Sequence, residues 1–375
     1  MKYRNILSLV LAGALTLSLA ACGTGNNSSN SNQTEAEKAQ TTTAQGADAG
    51  QEGTSQAASG EAASTAVPEF PEGDVSGLTI GFSYRSASDG AYMTTYFNRA
   101  VSYAKEKGIK LVILDALDDV TKQTTQIQDL IQQKCDVIVI WPVNSEASVA
   151  QAMQVKAAGI PCVTANTDVV DEGDQYVTCF VGPSNYEEGY LTGKAACEEM
   201  AAKGITNPRI LYVDGHTGNS TMMERKSGMK TAVEEAGGTF LDDQSNDGSR
   251  EKAQQIAENW LVKFKADDFD AVMCYDDNAA IGVYNAAKAA GREDEFTIYA
   301  AACGESSTVD NYIAKGYLGY MALQSPLIDA ESAIDMAANV AAGYEPTQHE
   351  YYIDTPVINK DNYQDFYISW ASSEK

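Results

Sequence analysis

Short clusters of polar and aromatic residues carry whatever chemistry this chain can do. They are Asp89-Gly90-Ala91-Tyr92-Met93, Trp141-Pro142-Val143-Asn144, Asn166-Thr167-Asp168, His216, Asp276-Asp277-Asn278 and Cys303-Gly304-Glu305, with Arg225 as a cation. Rings, carboxylates and amides in this mix suit a polyhydroxylated ligand. Its C–H faces stack on aromatic rings, and each hydroxyl both donates and accepts. Covalent chemistry has no such signature. The chain contains no G-x-x-x-x-G-K-[ST] loop, no G-x-G-x-x-G after its first β-rich run, no G-x-S-x-G and no H-E-x-x-H. Two histidines leave little material for a triad or a metal site. Asp243, Ser245, Asp247 and Ser249 alternate but miss the calcium-loop pattern and its bidentate glutamate. No catalytic residue, cofactor or metal is expected.

The clusters sit just past β-rich runs, at the strand ends where open α/β sheets bind ligands. Leu78–Ser83, Lys110–Leu114, Asp136–Trp141, Ile160–Ala165 and Tyr176–Val181 read as strands, with helices at Tyr92–Lys107, Thr121–Gln133 and Glu146–Ala158 between the first four. Val137-Ile138-Val139-Ile140 lacks polar alternation, as a strand covered on both faces does. The pattern restarts with helix Glu187–Lys203, strand Arg209–Asp214, helix Met222–Ala236, strand Thr239–Asp242, helix Glu251–Lys265 and strand Ala271–Tyr275. Helix Asn278–Ala290, strand Phe296–Ala302, helix Ser307–Ala314, strand Leu318–Ala322 and helix Leu327–Ala342 follow. Glycines 108, 159, 204, 237, 291 and 316 fall just past helix ends, where a left-handed cap favours glycine. The fold class is therefore α/β, and so many strands are better housed in two doubly wound parallel-sheet lobes than in one sheet.

The N-terminus is an address. Lys2 and Arg4 precede an apolar run from Ile6 to Ala21, shorter than the ~20 residues that span a bilayer. Leu19-Ala20-Ala21-Cys22 resembles the bacterial lipobox, which implies cleavage before Cys22 and acylation of that cysteine. Residues 1–21 are thus read as a lipoprotein signal peptide. From Gly23 to Ala66 there is no Leu, Ile, Val, Met or aromatic residue, so residues 22–75 read as a lipidated cysteine and a disordered tether with a mean span of roughly 40 Å. The seven cysteines include no C-x-x-C pair, which argues against a disulfide scaffold or zinc ribbon, and Cys162 and Cys179 are expected as buried free thiols. A formal net charge of −26 repels phosphate backbones, so no nucleic-acid partner is expected.

Across residues 76–370 the chain resembles the type I periplasmic sugar-binding proteins, the ribose- and galactose-binding group that serves ATP-driven importers. The resemblance rests on ordered segments. They include Gly108-Ile109-Lys110-Leu111-Val112-Ile113-Leu114-Asp115, Gln126-Ile127-Gln128-Asp129-Leu130-Ile131 and Ala158-Gly159-Ile160-Pro161. Asn185-Tyr186-Glu187-Glu188-Gly189, Glu224-Arg225-Lys226-Ser227-Gly228-Met229 and Tyr275-Asp276-Asp277-Asn278-Ala279-Ala280-Ile281-Gly282 complete the set. It implies lobes joined by a three-segment hinge, an N-terminal lobe of 76–184 and 325–353 and a C-terminal lobe of 185–324 and 354–375. It also implies roles. Tyr92 would stack on the sugar, Trp141 would form a second wall, and Asn166 would supply the polar group after the fourth strand. Arg225 would grip ring oxygen and hydroxyl, Asp276 would read hydroxyls with Asp277 as a helix cap, and Gln324 would stand near the last crossing.

Three departures separate this chain from the family pattern. Cys303 replaces an acid, the Asn246–Arg250 loop lacks an aromatic wall, and Gly90 replaces an amide or acid beside Asp89. The resemblance implies a monomeric, non-enzymatic, lipid-anchored extracytoplasmic protein that captures a sugar or polyol and passes it to an ABC permease. A ligand-sensing subunit of a membrane chemoreceptor or kinase is the alternative, and a secreted glycosidase would need a carboxylate pair about 5–10 Å apart.

Overall fold

The computed structural model describes residues 74–366 apart from Asp89, with nothing stated of the Cys303 side chain. The signal segment, Cys22, nearly all of the tether and the tail from residue 367 lie outside the described residues, as does Asp89.

Alternation of apolar runs and amphipathic helices produces two sheets. In the first, β1 (Thr79–Tyr84), β2 (Lys110–Asp115), β3 (Val137–Ile140), β4 (Cys162–Ala165), β5 (Cys179–Pro183) and β11 (Glu350–Ile353) are parallel, in the order β11-β5-β4-β3-β1-β2. In the second, β6 (Arg209–Asp214), β7 (Thr239–Ser245), β8 (Ala271–Cys274), β9 (Thr297–Cys303), β10 (Met321–Leu323) and β12 (Val357–Ile358) follow the order β12-β10-β9-β8-β6-β7. The orders match strand for strand, but β12 pairs antiparallel with β10. Each sheet reverses its winding beside its first strand, so each lobe presents a crevice at its strand C-termini there.

Helices cover both faces. Around the first sheet pack α1 (Ala91–Glu106), α2 (Val120–Gln132), α3 (Ser145–Ala157) and α9 (Pro326–Ala341). Around the second pack α4 (Asn185–Ala202), α5 (Ser220–Glu235), α6 (Arg250–Lys263) and α7 (Asp277–Ala290). β3 is buried throughout, as its unbroken apolar run requires. The first lobe has one core under α1 and α9, built on Phe82, Tyr96 and Ile334, and another under α2 and α3, built on Ile127, Ile138 and Val155. The second lobe has one core around Tyr212, Trp260 and Tyr299. The chain passes between the sheets from β5 to α4, from β10 to α9 and from β11 to β12.

The glycines expected at helix ends, 108, 159, 204, 237, 291 and 316, have positive φ. Cys162 and Cys179 are buried free thiols. Other expectations need correcting. The strand expected from Tyr176 begins at Cys179, because Asp171–Tyr176 closes a 3-10 helix whose acidic residues favour a turn. The helix expected over Ser307–Ala314 is a single turn, α8 (Ser306–Thr308), followed by a π-helical turn at Val309–Ile313. Asp276, not Asp277, caps α7, accepting from Ala279 N at 2.8 Å. His349 is half-buried, with its Nε2 2.9 Å from Asp168 Oδ2.

Candidate functional site

The strand C-termini of both sheets face one cavity of about 140 Å³. That is below the ~300–1,000 Å³ of drug-sized pockets, so it suits a ligand of about one ring. Direct hydrogen bonds cross between the lobes around it. Asn144 Nδ2 donates to Gly218 O at 3.1 Å, Ser220 N to Ser145 Oγ at 3.2 Å and Ala91 N to Glu305 Oε1 at 3.3 Å. The Thr167 and Thr221 hydroxyls meet at 2.8 Å. The Gly304 backbone lies so close to the Tyr92 ring that a Cβ would overlap it.

Of the residues singled out in the sequence, Gly90, Tyr92, Trp141, Asn166, Arg225, Asp276 and Gln324 all line this cavity. Asp89 lies outside the described residues, and Cys303 ends β9, its side chain also outside them. Trp141 packs edge-on to Tyr92 at 6.3 Å and to Tyr84 at 5.0 Å, so an aromatic cluster stiffens the first lobe's wall. Gly90 leads into α1 with φ 95°, a left-handed conformation that an amide or acid would take only under strain. His216 and Gly248 meet on the opposite side.

Two buried carboxylates that the sequence reading did not single out organise this wall. Asp329, on α9, takes the Tyr92 hydroxyl in a short hydrogen bond to Oδ2. The same oxygen accepts from Gln324 Nε2 at 2.7 Å and Asn166 Nδ2 at 3.3 Å. Glu188, on α4, pairs with Arg225 at 2.8 Å and is 0% exposed. Gln324 links the two, accepting from Arg225 Nη2 at 2.9 Å and donating to the Tyr92 hydroxyl at 2.9 Å. The network therefore runs from Glu188 in one lobe to Asp329 in the other. Burial raises Glu188 to about 7 against the pull of Arg225, and raises Asp329 to about 6 against its hydrogen bonds. Glu188 Oε1 and Asp329 Oδ1 accept no hydrogen bond from the described residues.

Both acids were hidden because each stands four residues after a helix-capping serine. Ser184 caps α4 and Ser325 caps α9, each at a crossing between lobes. An acid in the first turns of a helix ordinarily answers the helix dipole from outside. Here each instead points inward, and Gly189 and Ala330 beside them leave room for close packing.

Asp168, Asp174 and His349 are a group among the described residues whose ligand atoms lie within 4.8 Å of one another. None of them lines the cavity. No helix among the described residues is long and apolar enough to cross a membrane.

Residues 80–345 match the profile of the periplasmic binding protein domain, well over half of the chain. The chain belongs to that family. The periplasmic binding protein has relatives of known specificity. It is 28% identical over 216 residues to the ribose import binding protein of Bacillus subtilis, covering 58% of this chain and 67% of that protein. It is 25% identical over 264 residues to the xylitol-binding protein of Mycolicibacterium smegmatis, covering 70% and 72% respectively. A solved ABC transporter solute-binding protein from Mycobacterium smegmatis with bound glycerol superposes with a TM-score of 0.68 at 26% identity, over 77% of this chain and 96% of that one. One from Bacillus halodurans with bound myo-inositol gives 0.70 at 23% identity over 80% and 100%, a likeness of fold. The two lobes are those of the type I periplasmic binding protein fold.

Proposed function

We propose that this chain is an extracytoplasmic, lipid-anchored solute-binding protein. It captures a sugar or polyol between its lobes and delivers it to an ABC permease. The observation that carries this reading is the one-ring cavity bounded by Tyr92 and Trp141 on one side and by Arg225, Asp276 and Asp277 on the other. A ring stacks on the aromatic wall while its hydroxyls exchange hydrogen bonds with the charged wall. Relatives described as binding ribose and xylitol support the ligand class.

Closure around the solute strengthens each hydrogen bond by excluding water, and the closed form is what a permease recognises. The lobes divide at 184/185, 324/325 and 353/354, a reading supported by the passage of the chain from β5 to α4, from β10 to α9 and from β11 to β12. Cys22 is the attachment point of the lipid, and residues 23–75 are the tether. The protein acts as a monomer and performs no covalent step.

A thermal-shift screen of the chain starting at residue 76 against monosaccharides, polyols, nucleosides and amino acids tests the reading. A ligand at 100 times its Kd adds about 2.7 kcal/mol of stability. Stabilisation by a sugar or polyol is expected. Stabilisation by nucleosides or amino acids alone would overturn the ligand class.

A further inference from the structure

We propose that Asp168, Asp174 and His349 form a binding site for a divalent transition-metal ion, zinc being the ion they fit. The site lies outside the solute cavity and does not depend on which solute that cavity holds.

The fold brings the three residues together from distant parts of the chain. Asp168 follows β4, Asp174 lies in the 3-10 turn Asp171–Tyr176, and His349 immediately precedes β11, 181 residues from Asp168. One ligand atom from each residue lies within 4.8 Å of the other two. His349 Nε2 is 2.9 Å from Asp168 Oδ2 and 3.5 Å from Asp174 Oδ1. Zinc bonds of about 2.0–2.2 Å, opened at a tetrahedral angle, set neighbouring ligand atoms about 3.3–3.5 Å apart. The two measured edges stand on either side of that spacing.

A plain ion pair accounts for only half of this arrangement. Nε2 carries at most one proton, and the shorter distance gives it to Asp168. Asp174 Oδ1 is beyond good hydrogen-bond distance, and no other side chain among the described residues pairs with it. An ion held by all three satisfies both carboxylates at once, and two carboxylates with a neutral imidazole balance its charge. The groups behind the ligands are already in place. Asp168 Oδ1 accepts from the Thr164 hydroxyl at 2.6 Å and from Val169 N at 2.8 Å, which turns Oδ2 toward the imidazole. Metal-ligating carboxylates are oriented in this way. His349 O accepts from Phe180 N at 2.7 Å, which fixes the backbone that carries the ring. Asp174 is the most exposed of the three and leaves a side open for water as fourth ligand. An imidazole in the set favours zinc over magnesium and calcium, which take oxygen ligands. Ser220 Oγ of the second lobe donates to Asp168 O at 3.3 Å, so the ion steadies a loop on which the lobes meet.

Calorimetric titration of the full chain, stripped with a chelator, against zinc chloride tests this. One ion per chain at the site and a higher melting temperature are expected, because an ion that binds the folded state stabilises it. His349→Gln and Asp174→Asn should each weaken binding by about tenfold or more. Asp174→Asn removes no other side-chain pairing, so that variant should fold without metal as the natural chain does. Calcium chloride in place of zinc chloride should give much weaker binding. No zinc binding by the natural chain, or binding that persists unchanged in both variants, would overturn the site. Calcium binding as tight as zinc binding would overturn the choice of ion.

Discussion

Asp329 Oδ2 receives Tyr92, Gln324 and Asn166 together, so one carboxylate fixes three groups of the cavity wall. Asp329→Ala leaves those donors without their acceptor, and each buried group so stranded costs about 1–3 kcal/mol. The expected result is a lower denaturation midpoint and weaker solute binding, read by chemical unfolding and calorimetry. Arg225 and Glu188 make a different prediction. Arg225→Met strands the buried Glu188 carboxylate and should cost about 3–5 kcal/mol, while adding Glu188→Met should recover much of that loss. A double-mutant unfolding cycle checks it, and equal additive losses would show the pair to be uncoupled. At this scale the sequence disclosed residues at strand ends, because topology sends those ends to one crevice. Tyr92, Trp141, Asn166, Arg225, Asp276 and Gln324 meet there. Asp329 and Glu188 escaped notice because an acid early in a helix carries no local mark of facing inward.

The contact between α4 and α5 positions Arg225. At Gly228 a Cβ would overlap Tyr186 O and crowd Tyr190 N, and at Gly189 it would overlap Arg225 O. Gly228→Ala must push backbone against backbone, so a loss of roughly 1–3 kcal/mol is expected, with weaker ligand binding because Arg225 moves. A Gly228→Ala variant with the unfolding midpoint of the natural chain would contradict this packing. The elements themselves were largely legible, since helix-end glycines and unbroken apolar strands mark a parallel α/β sheet before any contact is known. What was not legible depends on neighbours. The antiparallel β12 is two residues long and exists only because β10 offers it an edge. The π-helical turn at Val309–Ile313 has no periodicity that distinguishes it from an α-helix.

For the whole molecule, the buried acids set a pH dependence. Glu188 and Asp277 stand at about 7 and Asp329 at about 6, all above their ordinary values. The folded state therefore holds protons that the unfolded chain releases near pH 4. The resulting stabilisation is present below that pH and is lost as pH rises through about 6–7, so the melting temperature should fall between about pH 5 and pH 8. Asp329→Asn should flatten part of that fall, measured by calorimetry across pH. The N-terminal address predicts that Cys22→Ser moves the protein from the membrane to the soluble fraction, read by fractionation. The most direct test of the central claim, capture of a solute between hinged lobes, is small-angle scattering of the chain from residue 76 during titration with the sugars and polyols that raise its melting temperature. A saturable fall in radius of gyration that Tyr92→Ala weakens is the expected result. Binding with no compaction at saturation would contradict it.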